Sequence, residues 1–150
     1  MVLTDAGYGH DLSLRKHLTE LELAYSVGIR GKTLVATMAP DAEPVLAEDL
    51  AKTLPKQGWR TITWRDGTNT PLTSRFRRLR VRAAGEGTTG DEPEEWLLIE
   101  WPEGEKEPTK FWLSTLPKTM HLGRMVDITM MLHAEGVLRH DGASSAIITN

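Results

Sequence analysis

Cysteine is missing altogether from the chain, so disulfides and thiolate metal sites are excluded, an absence that suits a reducing cytoplasm. No apolar run approaches the ~20 residues that a bilayer-spanning helix needs, and the N-terminus lacks the basic-then-apolar layout of a secretory signal. A large charge of one sign is lacking too: 18 Lys and Arg stand against 21 Asp and Glu, a formal net charge of −3. That balance argues against a protein that coats nucleic acid indiscriminately, although local patches rather than the total set the field at a groove. No segment repeats internally. What is present is an ordinary globular composition, 39% hydrophobic and 26% charged over 150 residues. One domain of that size buries roughly 70% of its unfolded surface. The expectation is a cytoplasmic protein with no membrane partner.

Met1 to Thr4 reads as a buried strand running directly into Asp5-Ala6-Gly7-Tyr8-Gly9, whose two glycines permit a sharp strand-to-helix turn. Asp11 suits an N-cap, and Leu14, Leu18 and Leu21 then fall on one helical face. Leu23 to Ile29 follows as a second strand, completing a strand–helix–strand unit of about 30 residues, as in α/β sheets. Residues 37–44, with Pro40 and Pro44, read as a loop. Val45 to Leu54 spaces Leu46, Leu50 and Leu54 as the stripe of a short helix stopped by Pro55. Beyond it the period becomes two. Strands are expected at Arg60 to Trp64, Arg75 to Ala83, Glu95 to Trp101 and Lys110 to Ser114. Asp66-Gly67, Glu86-Gly87, Thr89-Gly90-Asp91 and Glu103-Gly104 supply the turns. Leu122 to Leu138 reads as a helix, and His140 to Asn150, poor in bulky anchors, as a frayed tail.

Asp5 is the most informative single residue. A carboxylate at the C-terminal end of a buried strand, beside a Gly-rich turn, sits where α/β sheets place their ligands. Hard divalent cations prefer such oxygen donors. Spacing alone leaves open, and favours, a plainer role in which Asp5 caps its own turn by accepting a backbone N–H near Gly7. Gly7-Tyr8-Gly9 is no dinucleotide fingerprint, because the third glycine and the distal acid are missing.

A series of blocks shifts that weighting. Leu3-Thr4-Asp5-Ala6-Gly7-Tyr8-Gly9, then a helix and Leu23-Ala24-Tyr25-Ser26-Val27-Gly28, resembles the second-aspartate segment of DDE-type bacterial insertion-sequence transposases. Trp64 to Leu72 with Ser74-Arg75-Phe76 and Arg80-Val81-Arg82 is similar to a further block of that family. Glu95 to Trp101 and Lys110 to Ser114 resemble its later strands. The likeness covers residues 2–117 with its blocks in order, which is more specific than any one motif.

The resemblance implies a ribonuclease-H-like core interrupted by a β-rich insertion. In such cores three carboxylates hold two Mg²⁺ (or Mn²⁺) ions, one activating a water or DNA 3′-hydroxyl, the other stabilising the leaving oxygen. Asp5 matches the second carboxylate, and the first is expected upstream of Met1. The third should follow a Trp-Arg-Ile stretch on the helix near the end of this sequence. Met130-Met131-Leu132-His133-Ala134-Glu135-Gly136 stands there instead, with Glu135 near the place but out of register. A frame shift or truncation near residue 128 would produce that break. The stretch after it is expected to pack poorly, and the isolated chain to be catalytically silent with no metal stably bound. DNA at transposon ends, further copies of the chain and a full-length transposase are the implied partners. His133 with Glu135, and His140 with Asp141, read as solvated surface groups.

Five arginines lie between Arg75 and Arg82. Arginine meets phosphates bidentately, so the run is a candidate DNA-backbone footprint formed by Arg75, Arg77, Arg78, Arg80 and Arg82. Strand alternation places Arg78, Arg80 and Arg82 on one face and Arg75 and Arg77 on the other. The competing reading is a solvated strand paired across a hairpin with the acidic segment Asp91 to Glu95. Trp59, Trp64 and Trp112 offer stacking surfaces for bases, yet tryptophans in a β region more often fill its core.

The expected fold is therefore α/β (α+β). Residues 1–36 form part of a ribonuclease-H-like core, 37–117 a β-rich antiparallel insertion, and 118–150 a divergent helix and tail. The expected function is that of a transposase fragment, derived from a Mg²⁺-dependent DNA cleavage and strand-transfer enzyme. A non-catalytic DNA- or protein-binding remnant that regulates a full-length transposase is the alternative. An unrelated Mg²⁺ phosphohydrolase using Asp5 is disfavoured, because its further acidic motifs are absent.

Overall fold

The computed structural model describes residues 2–4, 24–65, 71–134, 139–140 and 143–147. Among them ten strands and two helices form. The strands are β1 (Val2–Thr4), β2 (Tyr25–Ile29), β3 (Leu34–Thr37), β4 (Val45–Leu46), β5 (Arg60–Arg65), β6 (Pro71–Ala83), β7 (Glu94–Pro102), β8 (Lys110–Ser114), β9 (Arg139–His140) and β10 (Ala143–Ile147). The helices are α1 (Ala47–Thr53) and α2 (Leu122–Ala134). All strands join one sheet in the order β4-β3-β6-β7-β8-β2-β1-β10-β9, with β5 also on β6. The fold is mixed α+β, and among the described residues only β1 and β2 pair in parallel.

Strand β6 organises the sheet. Along one side it pairs with β7, from Ser74 opposite Pro102 to Arg82 opposite Glu94. Its other side is divided: β5 takes Pro71 to Phe76, and β3 takes Val81 to Ala83. Among the described residues, 77–80 thus have a strand neighbour on one side only, and a seam opens between β5 and β3.

The pleat sends alternate residues to opposite faces. Leu97, Ile99, Leu113, Phe111, Val27, Tyr25, Val81 and Val35 point to one face, where Ala47, Leu50 and Ala51 of α1 close over them. Those three helix positions follow an i, i+3, i+4 rhythm, which sets one stripe against the sheet. No side chain caps α1; its first N–H groups are taken by the turn before β3, Ala47 donating to the Thr33 carbonyl and Glu48 to that of Gly31. The other face carries Phe76, Leu98 and Trp112 under Leu122, Met125, Val126 and Met130 of α2. Buried Thr129 completes the 122, 125, 126, 129, 130 stripe, and its hydroxyl meets that of Ser26 on β2 at 3.0 Å. Helix α2 contacts both β5 and β1, so it lies across the strands rather than along one.

Most expected strands form, with three departures. Leu34–Thr37 is a strand where none was expected: four residues with a single buried side chain, Val35, are too few to display a period. The expected helix at Val45 loses its first two residues to β4, because Leu46 and Val45 pair with Leu34 and Val35. The tail also differs. Ala143–Ile147 is not frayed but pairs antiparallel with β1, Val2 opposite Ile147. An open strand edge recruits an available backbone, and this chain supplies one. The helix expected after Asp11, Gly7 to Gly9, and the Asp66-Gly67 turn lie outside the described residues.

Candidate functional site

Asp5 and Glu135 lie outside the described residues, so of the metal reading the structure supplies only its frame. Strand β1 ends at Thr4, immediately before Asp5, and runs parallel to β2. Among the described residues no three His, Asp or Glu side chains converge as a metal-holding group.

The arginines of β6 are fully described, and the register divides them as alternation requires. On the α1 face, Arg75 lies over the Trp101 ring at 4.0 Å, and that ring meets Trp59 edge-on at 5.4 Å. Arg77 donates to the Pro55 carbonyl at 3.2 Å and the Gln57 carbonyl at 2.5 Å. It thereby anchors the connection between α1 and β5. Gly58 in that connection has φ +94°, a conformation that favours glycine, and a Cβ there would push the Arg77 guanidinium aside.

On the α2 face stand Arg78, Arg80 and Arg82. Arg82 donates to the Glu92 carbonyl at 2.6 Å. Arg80 donates through Nε to Glu94 Oε1 at 2.7 Å and to the Glu94 carbonyl at 3.2 Å. Lys118 approaches the same Glu94 oxygen at 3.2 Å. These two cations hold the Glu94 carboxyl below its ordinary value, the Arg80 hydrogen bond first and Lys118 next. Arg78 lies 4.1 Å and Arg80 4.6 Å from the Trp96 ring centre. Trp96 itself donates to the Pro117 carbonyl at 3.4 Å.

Arg78 is the exception in this row. Its side chain makes no ion pair or hydrogen bond among the described residues, and its Nη1, like that of Arg80, is buried without a partner. Burial lowers its pKa, and the like charges of Arg80 and Arg60 lower it further. Arg60 is the residue that sequence reasoning missed. It opens β5 opposite Phe76, which puts it on the same face as Arg78. Its alternation with Ile62 and Trp64 was visible, but only the β5–β6 register shows that it joins the arginine row.

The tryptophans are structural in large part. Trp112 is buried under α2, Trp64 meets Phe76 edge-on at 5.5 Å, and Trp59 packs against the α1-side core. Comparison with protein-family models, with curated proteins and with solved structures finds no match. No described helix is long and apolar enough to cross a membrane.

Proposed function

We propose that the chain derives from a DDE-type transposase and that, alone, it contacts DNA through phosphates without cutting it. The order of elements carries this reading. Strand β1, whose last residue Thr4 directly precedes Asp5 in the sequence, is followed by a parallel strand, β2, then by an antiparallel block from β3 to β8, then by helix α2. That is the order expected of a ribonuclease-H-like core with a β-rich insertion placed before its last catalytic helix. In a complete enzyme Asp5 would share Mg²⁺ or Mn²⁺ with two further carboxylates, and one carboxylate of three does not assemble a two-ion site. What this chain retains is cationic surface. A row of guanidinium groups at the seam of β6 suits backbone phosphates, which carry no sequence information. Assembly with further copies or with a full-length transposase belongs to the same proposal.

Two measurements test it. Plasmid DNA incubated with the pure chain and Mg²⁺ or Mn²⁺ should stay intact. Nicking that disappears in Asp5→Ala would overturn the proposed silence. The DNA flanking the reading frame, translated in every frame, should contain an upstream aspartate-bearing strand and a downstream Trp-Arg-Ile stretch with its glutamate. If neither flank holds them, descent from a transposase loses its support and a separate binding role takes precedence.

A further inference from the structure

A folded protein rarely leaves buried guanidinium nitrogens without an acceptor, because an unmade buried hydrogen bond is costly, and more so for a charged group. Here two such nitrogens, Arg78 Nη1 and Arg80 Nη1, lie on neighbouring face positions of one strand. Among the described residues their strand has no strand neighbour along residues 77–80 on one side. Arg60 adds a third like charge at the lip of the same seam. The remaining arginines of β6 are committed elsewhere: Arg75 to Trp101, Arg77 to two carbonyls, and Arg82 to one. Two carboxylates share the face. Glu94 binds Arg80 and Lys118, and Glu100, opposite Phe76, pairs with neither Arg78 nor Arg60 among the described residues.

We propose that Arg60, Arg78 and Arg80 form a receptor for one phosphate group, with Glu94 as a built-in competitor for Arg80. The arginine fork matches two phosphate oxygens at once, which an ammonium does not. Trp96 holds the Arg78 and Arg80 forks against its ring, so less side-chain freedom is lost when the anion arrives. An incoming phosphate supplies acceptors to the two orphaned nitrogens and takes Arg80 from Glu94. The group belongs either to a free phosphate compound or to a nucleic-acid backbone. The nucleic-acid reading above matters only for that second choice.

The test is a binding titration of the whole chain with pyrophosphate and, separately, with a short DNA duplex. Arg78→Gln should weaken binding about tenfold, the loss of one charge-assisted contact, while Arg82→Gln stays within about twofold. Arg78→Lys should recover only part of the loss, because it restores charge but not the fork. Glu94→Gln should tighten binding severalfold. A melting curve for each variant separates lost binding from lost folding. Equal losses in Arg78→Gln and Arg82→Gln would mean a diffuse field and would overturn the site, as would weaker binding in Glu94→Gln or no binding of either probe. Arg78-dependent binding of pyrophosphate without duplex keeps the site and removes the DNA reading. Arg78-dependent binding of duplex assigns the phosphate to a nucleic-acid backbone.

Discussion

The two faces of the sheet are built from the same strands and answer different demands. On the α1 side the charged and aromatic polar groups are satisfied, and Thr33 Oγ1 beside the start of α1 is the one buried oxygen among the described residues without a partner. Tyr25, 1% exposed, donates its hydroxyl to Glu95, 3% exposed, at 2.7 Å. Arg75 and Arg77 turn outward to a ring and to loop carbonyls. On the α2 side the helix covers Phe76, Leu98 and Trp112, but the face continues beyond it into Arg78, Arg80 and Arg82. One face is closed by apolar packing and paired charges; the other is half core and half a row of cations, two of whose guanidinium nitrogens have no acceptor. A surface that leaves donors unmade is tolerated where it does something other than hold the fold together.

The contrast is sharpest under substitution. Leu97 is fully buried on the α1 side, so Leu97→Ala should cost about 3 kcal/mol, read from denaturant unfolding with an unchanged m-value. A cost below about 1 kcal/mol would mean that this face is not the organising core. Tyr25→Phe removes the only hydroxyl that Tyr25 offers Glu95 and should cost about 1–3 kcal/mol by the same measurement.

Smaller effects are expected on the α2 side. Because its partners hold Glu94 ionised, the unfolded chain takes up that proton first as pH falls. The stabilisation is complete above the ordinary carboxylate value of 4.5 and is lost as pH drops below it. Glu94→Gln should therefore flatten the acid limb of a stability-versus-pH curve, and only slightly, because solvent screens the pair. Loss of stability toward high pH instead would contradict the assignment. The smallest effect belongs to Arg78→Met. Replacing a half-buried cation that has only the Trp96 ring and no hydrogen-bond acceptor by an apolar chain of similar length should leave the melting temperature unchanged or raise it. A marked fall would show that Arg78 supports the fold and weaken the case for a binding role.

Much of the architecture was legible in the residues. The strand at Lys110–Ser114 has the expected bounds, and those at Arg60 and Glu95 differ by one residue at their ends. Period-two alternation of β-branched and aromatic residues is a local property that pairing preserves. Helix α2 likewise shows its stripe in the spacing of Leu122, Met125, Val126 and Met130. The short strands were not legible. Leu34–Thr37 and Val45–Leu46 are strands because each completes the other's ladder and β6 receives them. Ala143–Ile147 is one because β1 has an edge to fill.

The same division holds for the candidate site. Alternation alone separated Arg78, Arg80 and Arg82 from Arg75 and Arg77, since neighbouring side chains on a strand point to opposite faces whatever the register. Which of them has a partner was decided by tertiary structure. Glu94 meets Arg80 only through the β6–β7 register, Lys118 reaches Glu94 from the segment before α2, and Arg60 joins from a strand more than ten positions away. Composition and period are sums over nearest neighbours, and the chain carries them wherever it goes. A charge left without a partner depends on every segment packed around it, and that exists only once the sheet has closed.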